Sequence, residues 1–497
     1  MKSLARTALR ALPLLGLASL ATPAGAQLIS LKTVPIASGE QLLLAPSRTL
    51  GMGGVSIAVH DTLGDPFVNP AKGRRVEGAS FFGAPTVYGI AGGNGGGKSV
   101  PVGVLAGGEA WFGGALVAFQ QIENPRFNGG CCVAFDVALT TTTQTTANRP
   151  GGAAYNRYAT GVLGRRLGGG LSVAASAFGA DLEAVEGVDF LYARAQRIAQ
   201  DGHMLDYRLG LVAEGSDGRA LELLLLHNRV NMTHDVTYQN WLWDPVTRRG
   251  TIQTRVETNL DRTRTWGAHA GYEQPLGDDG VRLGVVLTGN HKSHPKIPNY
   301  EIMNIPRDPG YSWAYNVGVG LSRTEGPATL GVDLVYEPIW SETWADSDTT
   351  VKTRSGRVIE PGGKTVENDF RFSNFLLRAG LAREQERWGF QLGLQARNIH
   401  YWLDQRDNVR ETQRDQEEEW LEWTPTWGAS VKFPEFHVRY TGRRTTGTGH
   451  PGVAWEGRGT PASLQAADFI VAPGGTLTLQ EAAVWTHQVA VMVPLGR

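Results

Sequence analysis

Residues 388–396 alternate between apolar residues and small or polar ones. One side carries Trp388, Phe390, Leu392, Leu394 and Ala396. The other side carries Gly389, Gln391, Gly393 and Gln395. A period of two predicts a β-strand with one apolar and one polar face. The alternation ends at Asn398 after about nine residues, which is the length that a tilted strand needs to cross a bilayer.

The same alternation recurs along almost the whole chain after residue 78. In residues 204–214, for example, apolar side chains including Tyr207 lie opposite Asp206 and Arg208. A soluble sandwich would bury the apolar faces between two sheets, whereas a membrane barrel turns them toward lipid. Charged faces on strand after strand favour the barrel, because they can line a lumen.

The connections alternate between short turns and long loops. The short turns are residues 107–109, 168–170, 215–218, 277–280, 325–327, 385–387 and 434–435. The long loops are residues 123–154, 183–203, 235–264, 291–310, 341–373, 403–422 and 445–483. This asymmetry is typical of bacterial outer-membrane barrels, whose short turns face the periplasm. We therefore expect an all-β fold, a transmembrane antiparallel β-barrel of about 16 strands, or about 14 if the weak segments 79–90 and 99–105 belong to the N-terminal region.

The N-terminus predicts export from the cytoplasm. Lys2, Arg6 and Arg10 precede an apolar run at residues 11–20, and Ala24-Gly25-Ala26 is a small-x-small cleavage site. Residues 1–26 therefore form a predicted signal peptide, which leaves Gln27 as the mature start. No later stretch offers the run of about 18 apolar residues that a membrane helix requires. The exported chain is then either a soluble periplasmic β-protein or an outer-membrane barrel.

Composition narrows the function classes. The 497 residues include 64 glycines but only 2 cysteines and 6 methionines, which favours strands and tight turns over helices. The formal net charge of −1 gives no reason to expect a nucleic-acid partner. Aromatic residues at predicted strand ends are typical of interface girdles, although packing could also place them there. These residues are Trp111, Trp340, Trp344, Trp388, Tyr401, Trp402, Trp423 and Trp427.

Residues 51–71 contain the most motif-like run of the chain. It reads Gly51-Met52-Gly53-Gly54, then Ala58 and Asp61, then Asn69-Pro70-Ala71 before the first strand. This run resembles the superfamily of outer-membrane barrels that includes the long-chain fatty-acid transporters and related barrels of the type IX secretion apparatus. Two features depart from the family pattern: the chain ends in Leu495-Gly496-Arg497 without a terminal aromatic residue, and family transporters often have fourteen strands.

The resemblance implies that residues 27–78 fold into the lumen of a barrel formed by residues 79–497, as a hatch. The family motif assigns the hatch and ligand path to Gly51, Met52, Gly53, Gly54, Asp61, Asn69 and Pro70. We expect Asp61, Asp65 and Asn69 to pair with lumen-facing groups, since a barrel this wide cannot fill itself with wall side chains. The lumen-facing candidates are Arg208, His269, Arg282, Arg378, Arg397 and Arg439. The alternative is a periplasmic lead-in that only caps the first strand.

Candidate sites for chemistry are weak. Cys131 and Cys132 lie in a predicted outer loop, where a strained vicinal disulfide and two free thiols are both open. His291 and His294 lack a third metal ligand, and Ser293 between them cannot form a triad with its own neighbours. The run Gly95-Gly96-Gly97-Lys98-Ser99 lacks the first glycine and the helix of a phosphate-binding loop. We expect no catalytic site, no metal site and no cofactor.

The sequence thus predicts passive uptake of a small molecule across the outer membrane. The resemblance supplies the substrate class, hydrophobic or amphipathic, while the charged inner faces leave a water-filled diffusion porin as the rival. A structural or secretion-associated scaffold that binds a partner protein through its loops is a third reading. The expected partners are outer-membrane lipids, the solute and the barrel-assembly machinery during insertion. The oligomeric state does not follow from the sequence.

Overall fold

One antiparallel sheet curves until its last strand pairs with its first. A computed structural model describes residues 37, 41–93, 95–123, 153–186, 197–244, 246, 249–294, 310–347, 349–451 and 479–495. The predicted signal peptide, 1–26, and the pair Cys131 and Cys132 lie outside these described residues. The strands of the sheet are β1 (Gly78–Gly83), β2 (Thr86–Ile90), β3 (Gly96–Gly107), β4 (Trp111–Glu123), β5 (Ala153–Gly168), β6 (Leu171–Leu182), β7 (Arg197–Glu214), β8 (Ala220–Asp244), β9 (Arg249–Asp261), β10 (Arg264–Pro275), β11 (Val281–His294), β12 (Gly310–Glu325), β13 (Ala328–Asp346), β16 (Lys364–Glu384), β17 (Trp388–Asp407), β18 (Thr412–Lys432), β19 (His437–Pro451) and β20 (Leu479–Leu495).

The barrel has sixteen strands. Among the 18 segments of the sheet, β1 and β2 are two halves of one interrupted strand, and so are β9 and β10. Phe82 of β1 lies opposite Met492 of β20, and Tyr88 of β2 lies opposite Thr486 of the same strand, which closes the barrel. The larger of the two predicted strand numbers is confirmed, and the two weak first segments are wall strands.

Two prolines explain why the first strand looked weak in the sequence. The interruption between β1 and β2 falls at Ala84-Pro85, beside Pro101 of β3. Proline has no backbone N–H to give to a ladder, so it is confined to interruptions or edges of a sheet. Here the Ala84 N–H still donates to the Pro101 carbonyl at 3.0 Å, and the Val489 N–H donates to the Pro85 carbonyl at 3.0 Å. The ladder therefore continues across the break.

The two faces of the wall differ as the alternation predicts. Leu163 and Leu392 on the outer face are 63% and 65% exposed, whereas Asp333 and Gln395 on the inner face are 0% and 2% exposed. An apolar outer surface on a closed barrel is the architecture that outer-membrane proteins use, because a closed sheet leaves no backbone group unpaired in lipid. The described residues contain no helix of the length and apolarity needed to span a bilayer.

Several strands continue well beyond the stretch that alternates. Strand β8 has 25 residues and β18 has 21, so the predicted loops 235–264 and 403–422 are largely β-strand. The reason is that the outer face meets water above the membrane, so the apolar period disappears from it while the hydrogen-bonded ladder continues. Within the predicted loop 341–373, β14 (Val351–Lys352) and β15 (Val358–Ile359) form a small hairpin of their own.

Aromatic side chains occupy both rims of the apolar outer surface. Trp111 and Trp388 lie beside the short turns, while Trp340 lies at the opposite end of its strand. Trp340 stands in one cross-strand row with Trp313 and, further along, Trp266. The expectation for Tyr401 was wrong: its ring faces the lumen, because it lies on the inner side of β17 together with Leu403.

The length of strand beyond the bilayer can be tested with one pair of variants. Leu225 and Val256 are both outward-facing and 59% and 57% exposed, but only Leu225 lies on the membrane side of the aromatic row. We expect Leu225→Arg to lower the free energy of unfolding by about 2–4 kcal/mol, and Val256→Arg to change it by less than about 1 kcal/mol. Urea unfolding in lipid vesicles measures both, and equal costs would contradict the placement of the bilayer.

Candidate functional site

The N-terminal segment, defined here as residues 41–77, crosses the inside of the barrel. At its start, the Gln41 side-chain amide donates to the Ala184 carbonyl at 2.9 Å, and the Gln120 amide donates to the Gln41 carbonyl at 3.0 Å. Only seven residues later, the Arg48 carbonyl accepts a hydrogen bond of 2.6 Å from Gln391 on β17. The chain has therefore passed from the β4–β5 side of the lumen to the β17 side.

From Arg48 onward, the N-terminal segment follows the inner wall in reverse strand order. The Ser56 N–H donates to Asp333 on β13 at 2.8 Å, and the Ala58 carbonyl accepts from Ser322 on β12 at 2.7 Å. Further contacts reach β11, β10, β8, β7, β6 and β4 before β1 begins. Residues 48–77 thus lie against most of the circumference, at the end of the barrel that carries the short turns.

An apolar cluster fixes the other side of the N-terminal segment. Leu44, Phe67 and Val76 pack against inward-facing residues of β3 to β8. The wall members of this cluster include Leu105, Leu116, Tyr158, Ala180 and Met232. The Phe67 ring meets the Phe82 ring edge-on with centroids 6.1 Å apart. Burial of these side chains holds the segment inside the barrel independently of its hydrogen bonds.

The motif Gly51-Met52-Gly53-Gly54 binds the wall through its backbone. The Gly53 N–H donates to the Thr426 hydroxyl at 2.8 Å, and this hydroxyl donates to the Gly51 carbonyl at 3.0 Å. The Gln395 amide donates to the Gly53 carbonyl. Gly53 and Gly54 have φ values of 74° and 69°, which residues with a Cβ rarely adopt. Met52 is 2% exposed, so the turn is buried against β16 to β18.

Glycines of the wall provide the space for this close approach. A Cβ at Gly393 would lie 2.1 Å from the Gly53 nitrogen, and one at Gly380 would lie 2.0 Å from the Met52 oxygen. Similar contacts occur at Gly210, Gly284, Gly320 and Gly331. The inner-face glycines were visible in the sequence as the polar partners of the alternation. Their role was missed, since a small residue on a lumen face can also serve an open pore.

Charge complementarity runs opposite to the expectation. Lys72 of the N-terminal segment pairs with Glu222 of the wall at 3.0 Å, Arg75 pairs with Glu214 at 2.6 Å, and Arg74 pairs with Glu214 at 2.9 Å. His60 contacts Glu273 at 2.6 Å. The segment supplies the positive groups and the wall supplies the carboxylates. The basic run Lys72-Gly73-Arg74-Arg75, beside Glu214, Glu222 and Glu273 on predicted polar faces, was the sequence signal for this.

The acidic residues of the motif do not contact the lumen arginines that were expected to bind them. Asp61 accepts from the Arg48 N–H at 2.9 Å and from the Leu63 N–H at 3.0 Å, so it closes a turn of the segment itself. Asn69 instead donates to Glu222 at 3.2 Å and caps the short helix of residues 70–75. These residues shape the segment rather than pairing with lumen cations.

Burial governs the two ionisable groups at the centre of the N-terminal segment. Burial raises the pKa of the Asp65 carboxyl to about 6, against the opposing effect of the Lys72 charge. Burial lowers the pKa of Lys72, but the carboxylates of Asp65 and Glu222 more than offset it, so the net shift is upward. Lys72 therefore remains protonated, and its ion pair with Glu222 persists at neutral pH.

The six lumen-facing candidates all lie on the inner side of their strands. Three of them contact the N-terminal segment: Arg208 donates to the Val68 carbonyl at 2.8 Å, Arg378 to the Ser56 hydroxyl at 3.0 Å, and Arg439 to the Arg48 carbonyl at 3.5 Å. The other three pair within the wall. These are Arg282 with Glu273 at 3.0 Å, Arg397 with Glu337 at 3.2 Å, and His269 with Thr288 at 2.7 Å.

Above the N-terminal segment the inner wall changes from polar to aromatic. The pair Arg397 and Glu337 is 1% and 4% exposed and forms a polar layer next to the segment. Beyond it, toward the long loops, an aromatic cluster lies on the inner faces of β13 and β16 to β18. Its members are Ile339, Phe370, Phe372, Tyr401 and Leu403, with Ala314 and Trp420 packed against them. The ring centroids of Phe372 and Tyr401 are 5.6 Å apart, and those of Tyr401 and Trp420 are 5.5 Å apart.

The remaining motifs carry no arrangement for catalysis. Gly96 to Ser99 are part of β3, and Lys98 pairs with Glu123 at 2.9 Å rather than closing a phosphate loop. His291 faces outward and packs against Trp313. Within the described ranges, no three His, Cys, Asp or Glu side chains are grouped to hold a metal ion.

Solved structures of outer-membrane barrels align with most of the chain. A FadL homologue from Pseudomonas aeruginosa is 12% identical, with 91% of this chain and 99% of that chain covered and a TM-score of 0.41. The toluene transporter TodX from Pseudomonas putida is 10% identical, with 90% of this chain and 97% of that chain covered and a TM-score of 0.36. CdiB from Acinetobacter baumannii is 9% identical, with 84% of this chain and 60% of that chain covered and a TM-score of 0.37. At these identities and scores, any statement about function must come from the chain's own geometry. No family profile and no curated protein matches the sequence.

The wall glycines make docking of the N-terminal segment testable. We expect Gly393→Ala to loosen the segment, because the new Cβ would meet backbone atoms of Met52 and Gly53 at 2.2 and 2.1 Å. Conductance of the purified protein in a planar bilayer should rise, and protease cleavage within residues 41–77 should become faster. Gly161→Ala is the control, since its Cβ would meet nothing within 4 Å. Unchanged conductance and cleavage for Gly393→Ala would contradict the docking.

The ion pair between Lys72 and Glu222 can be tested with a double-mutant cycle. Lys72→Met leaves Glu222 buried without its cation, which should cost about 3–5 kcal/mol of unfolding free energy. The double variant with Glu222→Gln should recover most of this loss. Lys98→Met is the control, because the pair with Glu123 is about half exposed and such pairs contribute less than about 1 kcal/mol. Additive costs in the cycle would show that the two groups do not interact.

Proposed function

We propose that the chain is an outer-membrane transport protein that admits a small hydrophobic or amphipathic molecule by passive diffusion. In this proposal the solute first contacts the aromatic cluster inside the barrel. The N-terminal segment then acts as the hatch that the solute must pass. The concentration gradient supplies the driving force.

The aromatic cluster is the observation that carries the proposal. A water-filled pore keeps a polar interior, since apolar side chains facing water gain nothing from burial. Phe370, Phe372 and Leu403 nevertheless face inward, on strands whose outer sides already supply the apolar surface toward lipid. The side chains of the cluster are only 5–9% exposed because they cover one another, so an apolar solute that enters between them exchanges apolar contacts for apolar contacts instead of meeting water.

Polar groups at one edge of the cluster suit an amphipathic solute. The Tyr401 hydroxyl accepts a hydrogen bond of 2.9 Å from Gln416, so the cluster presents a polar tip beside its rings. Arg397 lies four residues before Tyr401 on the same inner face, next to Glu337. A molecule with an apolar body and a polar end would find both types of contact within one surface.

The hatch role rests on the path of the N-terminal segment. Its chain crosses the lumen between Gln41 and Arg48 and then lines the wall, so part of it lies across the route of a solute. Residues 48–58 contact the wall through single hydrogen bonds, each worth roughly 0.5–1.5 kcal/mol, and through buried apolar side chains such as Met52 and Ile57. Residues 72–75 are held by buried ion pairs instead. The two ends of the segment are therefore held by different kinds of contact.

Uptake by cells tests the proposal. In a deletion strain complemented with Phe370→Ala/Phe372→Ala, uptake of a labelled long-chain fatty acid or alkane should fall at least about tenfold at low concentration, because each lost ring removes roughly 1.5–3 kcal/mol of apolar burial shared with the solute. Uptake of a small sugar, which would use a water-filled route, should stay at the low level of the wild type.

The neighbouring ring gives the matched control. Trp402 lies beside Tyr401 in sequence, but its side chain is on the outer face of the wall. Trp402→Ala should leave uptake unchanged, provided that both proteins reach the membrane in equal amounts. Equal uptake of the fatty acid or alkane by the cluster variant and the wild type would contradict a hydrophobic route through the cluster. Rapid sugar uptake by the wild type would contradict it too, and either result would favour a water-filled channel.

A further inference from the structure

Three arginines lie together on the lipid side of the barrel, at its long-loop end. Arg264 of β10 is directly opposite Arg229 of β8. The pairing of β8 with β9 and with β10 is in one continuous register, so Arg262 lies opposite Asn231, two residues further along the same outer face. We call Arg229, Arg262 and Arg264 the arginine patch.

The arginine patch lies just beyond the aromatic row. Trp266, which is 63% exposed, is the next outward residue on the membrane side of Arg264. It stands between His227 and His291 in the cross-strand row, and its ring stacks on His227 with centroids 4.0 Å apart. Tryptophan rings mark the depth at which the lipid headgroups begin. The guanidinium groups therefore lie in the headgroup layer.

The patch has no acidic partner among the described residues. Like charges directly opposite each other destabilise a pair of strands, so Arg229 and Arg264 carry an electrostatic cost in this protein. Two other outward arginines have acidic partners: Arg157 pairs with Asp181 at 3.0 Å and Arg371 pairs with Asp369 at 3.1 Å. The arginine patch thus differs from its surroundings, and an anion that binds it would remove the cost.

The same row has the opposite charge on the far side of the barrel. Following the register from Arg264 through Ser293 and Tyr311, the next outward residues are Glu342, Asp369, Asp404 and Asp415. Among the described residues of this row, the positive charge therefore lies on the β8–β10 side and the negative charge on the β13–β18 side, so the outer surface distinguishes one direction around the barrel from another.

We propose that the arginine patch binds the phosphorylated headgroup of an outer-leaflet lipid. The guanidinium fork matches a phosphate group in a bidentate manner, and three forks on neighbouring positions can bind more than one phosphate oxygen. The Trp266 ring below the patch offers an apolar face to the lipid's chains or sugar. The inference rests on the position of the barrel in a membrane, not on which solute the barrel transports.

Native mass spectrometry of the full-length protein in detergent tests the proposal, with bis-phosphorylated lipid A and its dephosphorylated form as probes. The wild type should retain the phosphorylated lipid and bind the dephosphorylated form at least about tenfold more weakly, the loss of one charge-assisted contact. The variant Arg229→Gln/Arg264→Gln should lose this preference. Arg157→Gln, which removes an outward arginine that already has a partner, should keep it.

A stability measurement separates a ligand site from a structural role. In lipid-free detergent, Arg229→Gln/Arg264→Gln should melt at the same temperature as the wild type or higher, because it removes a like-charge pair. Added phosphorylated lipid should raise the melting temperature of the wild type only. Equal binding of both lipid forms by the wild type would overturn the proposal. A variant that binds the phosphorylated lipid as tightly as the wild type would also overturn it. An equal rise in wild-type melting temperature with inorganic phosphate alone would assign the patch to a free anion instead.

Discussion

The structure follows from one constraint, which is that every backbone polar group within a bilayer must find its partner inside the protein. A sheet meets it by closing, and sixteen strands are needed to close this one. The closed wall then has an apolar side toward lipid and a polar side around a lumen too wide for wall side chains to fill. The N-terminal segment occupies that space. Its backbone is paired with wall side chains such as Thr426, Gln395 and Asp333, so the same rule that shapes the wall also governs what lies within it.

The N-terminal segment fits against the wall because glycines of the wall leave room for its backbone and because charged side chains of the wall pair with its basic residues. Glycines on the inner faces of β7, β11, β12, β13, β16 and β17 let the backbone of residues 51–71 approach to contact distance. Buried ion pairs of Lys72, Arg74 and Arg75 then attach the other end. Backbone proximity at the motif and charge pairing at the basic run are different kinds of attachment. They give the two ends of the segment different resistance to displacement.

The sequence predicted the wall more fully than its contents. Strict alternation in segments such as 388–396 identified strands, faces and the turn asymmetry, because lipid imposes a period of two that nothing else overrides. The first strand was ambiguous, since Pro85 and Pro101 interrupt it. The tall extensions of β8 and β18 were read as loops, because strands surrounded by water lose the period. Asp61 and Asp65 of the segment were expected to pair with arginines of the wall. In the structure, basic residues of the segment pair with carboxylates of the wall instead. Which wall group a charged residue meets depends on the three-dimensional path of the segment, which no local pattern encodes.

The path of the N-terminal segment also fixes the order in which the molecule can be assembled. Gly53 bonds to Thr426, which lies 373 residues further along the chain, and Arg48 contacts β19. The portion that is synthesised first therefore has no complete docking surface until the last strands have formed. Its contacts with β16 to β19 can form only once those strands are in place, shortly before the final seam joins β20 to β1 and β2. A segment near the start of the chain therefore completes its native contacts late.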